Sequence, residues 1–113
     1  EDKKPYFLKI AIPKTKKNWA ELKLVTEKWV KDEPTNTEAW YELGYANEKL
    51  GKVADALVAY DKALEIDQNN SDALLREAVI YKSKGDANKV AKIQSTLDEV
   101  DPNKAWILKN NKY

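Results

Sequence analysis

The residues of this chain best suited to chemistry are its carboxylates. Glu38, Glu42 and Glu48 share one stretch, and Asp98, Glu99 and Asp101 gather near the end of another. Paired carboxylates act as general acid and base only when a pocket holds their pKa values apart. Here acids alternate with lysines, which is the pattern of a solvated helix face. The run DQNNSD at 67–72 sets oxygen ligands in a row. It lacks the twelve-residue spacing, the sharp-turn glycine and the terminal bidentate glutamate of a calcium loop. It reads instead as a turn in which Asn70 or Ser71 caps the following helix. The chain has no His and no Cys. That removes thiol nucleophiles, Cys/His zinc sites, Ser-His-Asp triads and imidazole pH switches. Its three glycines are isolated, so no glycine-rich loop cradles phosphate. No catalytic residue, no metal and no cofactor are expected.

At 113 residues the chain can bury one core. Charge is nearly balanced, with 20 basic against 19 acidic residues, and Arg76 is the single arginine. Readers of nucleic acid favour the bidentate arginine fork, so no nucleic-acid partner is expected. There is no apolar run of the roughly 18 residues that a membrane span needs. The chain starts at Glu1 and contains no Met, so it reads as a processed product or excised segment. The compartment stays open: cytoplasmic or, where a signal was removed, periplasmic or exported. The net +1 hides a gradient. Residues 1–17 carry six Lys and two acids, 18–104 carry 12 basic and 17 acidic residues, and 105–113 add two Lys.

These residues must be positioned by a repeat. Shifting the sequence by 34 residues aligns Pro34, Gln68 and Pro102; Glu33, Asp67 and Asp101; Gly51 and Gly85; Gly44 and Ala78; Leu22, Ala56 and Val90; and Trp40, Leu74 and Leu108. Each unit reads as a helical hairpin. Thr37 can cap a helix whose apolar positions Ala39, Trp40, Leu43, Ala46 and Leu50 recur at three- and four-residue steps. Gly51 ends it, and a second helix runs from about Val53 to Ile66. Gly44 in mid-helix costs about 1 kcal/mol against Ala, which points to a close helix–helix approach. The next unit repeats the plan from Ser71 through Gly85 to Val100.

This pattern resembles the tetratricopeptide repeat family. Trp40, Leu43, Gly44, Ala56, Tyr60 and Ala63 stand at the family spacing, and the last unit carries Leu74, Ala78, Tyr81 and Pro102. The middle unit departs at Asn47 and Gln68, the last at Glu77, Val90 and Gln94. The resemblance implies an all-α, right-handed superhelical stack of antiparallel hairpins, about two and a half units long. The divisions are a basic, apolar N-terminal segment at 1–17, a half repeat at 18–36, full repeats at 37–70 and 71–104, and a capping tail at 105–113.

The first unit breaks the pattern. Asn18 to Lys31 reads as a second-type helix. Ahead of it, Ile10 replaces the small residue, Pro13 falls mid-helix and Lys17 replaces the turn glycine. Proline inside a helix costs about 3 kcal/mol, so residues 1–17 are not expected to form the usual first helix, and the stretch at 5–13 reads as extended or irregular. Tyr6, Phe7, Leu8, Ile10 and Ile12 are expected to fold back over Trp19 and Trp29. The competing reading is an interface, in which Tyr6, Phe7, Leu8, Ile10, Trp19 and Trp29 dock a second chain as a homo-oligomer.

The family resemblance further implies a scaffold for a protein or peptide partner, with the first helix of each unit lining a concave face. That face would show Tyr41, Tyr45, Leu75 and Val79 as an apolar strip flanked by Glu48, Arg76 and Lys82. Arg76 would be free to hold a ligand carboxylate. Family members that grip a C-terminal carboxylate use Lys, Asn and Arg on two helices; here Tyr41 and Tyr45 stand in their place. A peptide with apolar residues and some basic character suits the strip and its acidic surroundings better. The alternative function is a structural, self-assembling repeat protein.

Overall fold

The computed structural model describes residues 4–113, so the first three residues of the 1–17 segment lie outside the described residues. The described residues form eight helices: α1 (Tyr6–Lys9), α2 (Ala11–Thr15), α3 (Trp19–Asp32), α4 (Thr37–Lys49), α5 (Val53–Ile66), α6 (Ser71–Ser83), α7 (Ala87–Val100) and α8 (Pro102–Lys109). Helices α4 with α5 and α6 with α7 form the two complete hairpins, α1 and α2 lie against α3, and α8 packs on α6 and α7. The molecule measures 46 × 24 × 22 Å, the shape of a stack that grows along one axis. None of the described helices is long and apolar enough to cross a membrane.

Local chemistry sets the helix boundaries. Asn18, Asn36, Asn70, Asp86 and Asp101 each accept a first-turn amide with the side chain. Capping of α4 therefore falls to Asn36 and not to Thr37. The Thr37 hydroxyl instead donates to the Ala63 carbonyl at 2.8 Å and pins the start of α4 to the end of α5. At the other ends, Lys17, Gly51 and Gly85 have φ of 57°, 78° and 76°. The amide after each closes a six-residue ring onto the preceding helix: Asn18 to Pro13, Lys52 to Asn47 and Asp86 to Tyr81, at 2.8, 2.8 and 3.0 Å.

The turn at Lys17 thus has the backbone of the glycine turns without the glycine. The expectation of an extended or irregular stretch at 5–13 is corrected accordingly: Tyr6–Lys9 and Ala11–Thr15 are helical, with a break at Ile10. Pro13 is tolerated because it lies in the first turn of α2, where amides have no intrahelical partner to lose.

The core is strung along the stack in three clusters. Ile10, Leu22, Trp29, Ala39 and Ala46 fill the first junction, Ala56, Tyr60, Ala63, Ala73 and Ile80 the second, and Leu74, Leu75, Ala78, Ile93, Leu97, Ala105 and Leu108 the third. Gly44 meets the expected close approach: a Cβ there would lie 2.5 Å from Tyr60 Cε1. The tail caps the last hairpin through Ala105 and Leu108, leaving Trp106 exposed.

Candidate functional site

The helices that open their units, α4 and α6, lie beside one another and carry the predicted binding residues. Tyr41 and Tyr45 stack on each other along α4 with ring centroids 6.2 Å apart. Tyr41 also leans on the buried Tyr60 ring at 5.8 Å, and the Trp19 ring meets Tyr45 edge-on at 5.7 Å. Desolvation raises the Tyr41 hydroxyl, and the Asp72 and Glu42 charges add to it.

Glu48 is the centre of a bridge among three helices. It accepts the Tyr60 hydroxyl at 2.7 Å and Arg76 Nε at 3.1 Å, and Arg76 Nη2 pairs with its other oxygen. The bonds to Glu48 hold the Arg76 guanidinium above its ordinary pKa against the opposing effect of burial. Arg76 also stands over the Tyr45 ring, 6.0 Å from its centroid. The expectation that Arg76 is free for a ligand carboxylate is corrected: its fork is engaged within the chain.

The expected strip does not stay on one open face. Leu75 is 9% exposed and belongs to the core under α7 and α8, and Val79 packs against that same cluster. Lys82 is committed to the end of the chain, donating to the Leu108 carbonyl at 2.9 Å and to Asn111 Oδ1 at 2.6 Å. What remains open between α4 and α6 is a groove of about 490 Å³, lined by Lys14, Thr37, Glu38, Tyr41, Glu42, Asn70 and Asp72. Its wall is acidic. The Glu42 side chain is 7% exposed and takes Lys14 Nζ at 2.9 Å on one oxygen, while the other oxygen is buried without a hydrogen-bond partner. Burial raises the Glu42 carboxyl, with Lys14 opposing and Glu38 and Asp72 reinforcing. Lys14 was not foreseen in this site, because its segment was not expected to form the usual first helix.

The candidate interface residues divide into two groups. Tyr6 stacks on Trp29 at 5.6 Å and donates its hydroxyl to Asp32, a bond that raises its pKa to about 12. Ile10 and Trp29 are buried, and Trp19 is half-buried. These four cover the junction from within, while Phe7 and Leu8 point outward with Ile12.

Known proteins share the repeat. Tetratricopeptide repeat profiles match residues 37–70 and 59–90. Tetratricopeptide repeat protein 14 of Mus musculus is 46% identical over 41 residues, 36% of this chain and 5% of that protein. The peroxisomal targeting signal receptor of Komagataella phaffii is 33% identical over 66 residues, 58% of this chain and 12% of the receptor. The PEX5-related protein of Homo sapiens is 32% identical over 90 residues, 80% of this chain and 13% of that protein. The chain therefore spans between 5% and 13% of the length of these relatives.

Proposed function

The chain is a tetratricopeptide repeat protein, a class of protein–protein interaction module, and from that premise we propose that it holds a peptide or protein partner in the groove between α4 and α6. The observation that carries this reading is the groove itself. Glu38, Glu42 and Asp72 surround the Tyr41 ring, and Lys14 opposes them. Asp72 is also paired with Lys104 at 3.4 Å, but Glu38 and Glu42 still outweigh Lys14, which favours a segment with basic residues, and the Tyr41 face offers rigid apolar area for their stems. Two of the relatives are named receptors for a targeting signal, which supports a ligand-holding role. The role is non-catalytic and uses no cofactor.

The test is an array of extended peptides that vary in basic content. Glu38 and Asp72 are exposed, so Glu38→Lys with Asp72→Lys leaves the core untouched. Binding of basic peptides is expected to fall about tenfold or more in the double variant and to weaken with added salt. Peptide binding that ignores both the substitutions and the salt would sink the reading.

A second reading, self-assembly through the N-terminal end, is favoured by one observation. Phe7, Leu8 and Ile12 are 57%, 50% and 65% exposed on consecutive turns. Light scattering across a concentration series tests it. Self-assembly predicts a mass that rises with concentration and returns to the monomer in Phe7→Ser with Ile12→Ser. A monomer throughout would exclude it.

A further inference from the structure

A second cleft, of about 410 Å³, opens between α5, α6 and α7 and shares no residue with the groove. In the repeat register the preceding unit has Leu43 where this unit has Glu77. Glu77 is 8% exposed, and its Oε2 is buried with no hydrogen-bond partner. It lines the cleft together with Asp61, and Leu74, Tyr81 and Ile93 supply apolar walls.

A buried carboxyl beside a second carboxyl ionises reluctantly. Burial, followed by the Asp61 carboxyl, pushes Glu77 up to about 8. At neutral pH Glu77 therefore holds on to its proton. The lysines at hand do not replace that proton. Lys89 Nζ sits over the Tyr81 ring, 4.5 Å from its centroid, and among the described residues neither Lys89 nor Lys92 forms an ion pair with Glu77 or Asp61.

We propose that this cleft binds a primary ammonium on an aliphatic stem, with Glu77 and Asp61 taking the cation and the Leu74, Tyr81 and Ile93 walls taking the stem. Lys89 and Lys92 on α7 disfavour a second positive charge, so the ligand is a monoamine and not a polyamine. That chemistry has two sources: a free alkylamine, or a lysine side chain on a polypeptide.

The experiment is an amide chemical-shift titration of the full chain at pH 7 and fixed ionic strength. One arm uses n-butylammonium chloride. The other uses an acetylated, amidated Gly-Lys-Gly peptide, with its acetyl-lysine form as control. Saturable shifts are expected at Glu77, Tyr81 and Thr96, with half-saturation on the order of 1 mM or below. Tighter binding in the first arm identifies a free amine, and tighter binding in the second a lysine side chain. Glu77→Gln is expected to weaken binding by about tenfold or more, and Asp61→Asn, at an exposed position, in the same direction. Glu65→Gln on the exposed face of α5 leaves it unchanged. The proposal is overturned if neither arm saturates, or if the shifts persist in Glu77→Gln and Asp61→Asn proteins that remain helical.

Discussion

Lys14 and Glu42 meet across 28 residues of sequence, and Glu48 and Arg76 meet across the same 28 residues one repeat later with their signs exchanged. Lys14, Glu48 and Lys82 occupy one register position, and Glu42 and Arg76 another. At the third occurrence Lys82 finds the Leu108 carbonyl and Asn111 in place of a charged partner. Each hairpin is thus clasped to the next at the same point on its first helix, with the chemistry of the clasp changed every time.

The middle clasp is the most enclosed. The Arg76 and Glu48 side chains are 19% and 14% exposed. Glu48→Ala leaves a desolvated guanidinium and the Tyr60 hydroxyl without an acceptor, and is expected to cost about 3–5 kcal/mol. Urea denaturation measures it. A double-mutant cycle with Arg76→Met should return a coupling of at least about 1 kcal/mol.

Gly44→Ala places a methyl against the Tyr60 ring, which is enclosed on all sides. Relief through helix propensity is at most about 1 kcal/mol, and overpacking costs about 1–3 kcal/mol or more. A net loss of stability is expected, with a lower thermal midpoint. Gly44→Ala combined with Tyr60→Phe should not recover it, because the clash is with ring carbons and not with the hydroxyl.

Lys17 holds a left-handed backbone that L side chains adopt at a cost. Lys17→Gly is expected to stabilise by up to about 1 kcal/mol, while Gly51→Ala and Gly85→Ala, at the same backbone geometry, lose about that much. Three urea curves in one buffer decide this, and a destabilised Lys17→Gly would contradict it.

Glu77 links stability to pH. Its pKa rises from an ordinary 4.5 to about 8 in the fold, so its contribution is fully present below 4.5 and is lost as pH rises toward and through 8. Burial drives the rise, Asp61 on α5 adds to it and Lys89 on α7 opposes it; Tyr81 on α6 and Lys92 on α7 line the same cleft. Glu42 is raised by burial as well and adds in the same direction. Glu77→Gln should flatten the decline in thermal midpoint between pH 5 and about 8. An unaltered pH profile would refute the assignment.

The stack of hairpins was legible because its signals are local and repeated. Gly51 and Gly85 mark turns, Asn70 caps the helix after it, and Gly44 announces the ring that lies against it. The first unit was misread because Pro13 was assigned to the middle of one helix, when the chain breaks at Ile10 and restarts, so that the proline falls in a first turn. Thr37 was misread because either of two adjacent polar residues can cap, and the packing of α5 decides between them. In the candidate site α4 and α6 lie where they were expected and Tyr41 lines the groove, while Leu75 and Arg76 are engaged within the fold. Leu75 and Tyr41 fall on similar helical steps, and only the position of α7 and α8 buries the first. The engagement of Arg76 was visible in principle as opposite charges repeating at a fixed separation. Glu77 was visible as a carboxylate in an apolar register position, but its nearness to Asp61 depends on how three helices meet.

The clasps also set the order in which the stack comes apart. Glu48 binds two neighbours at once and ties α4, α5 and α6 into one block. The N-terminal turns are held by the Tyr6 hydroxyl on Asp32, by Lys14, which is 39% exposed, on Glu42, and by the apolar cover over Trp29. Amide hydrogens in α1 and α2 are therefore expected to exchange through local peeling, while those of α4 to α6 wait for global unfolding. A partner seated in the groove would touch Lys14 on the loose side and Asp72 on the firm side, and its residence would be recorded as slowed exchange in a segment that otherwise frays.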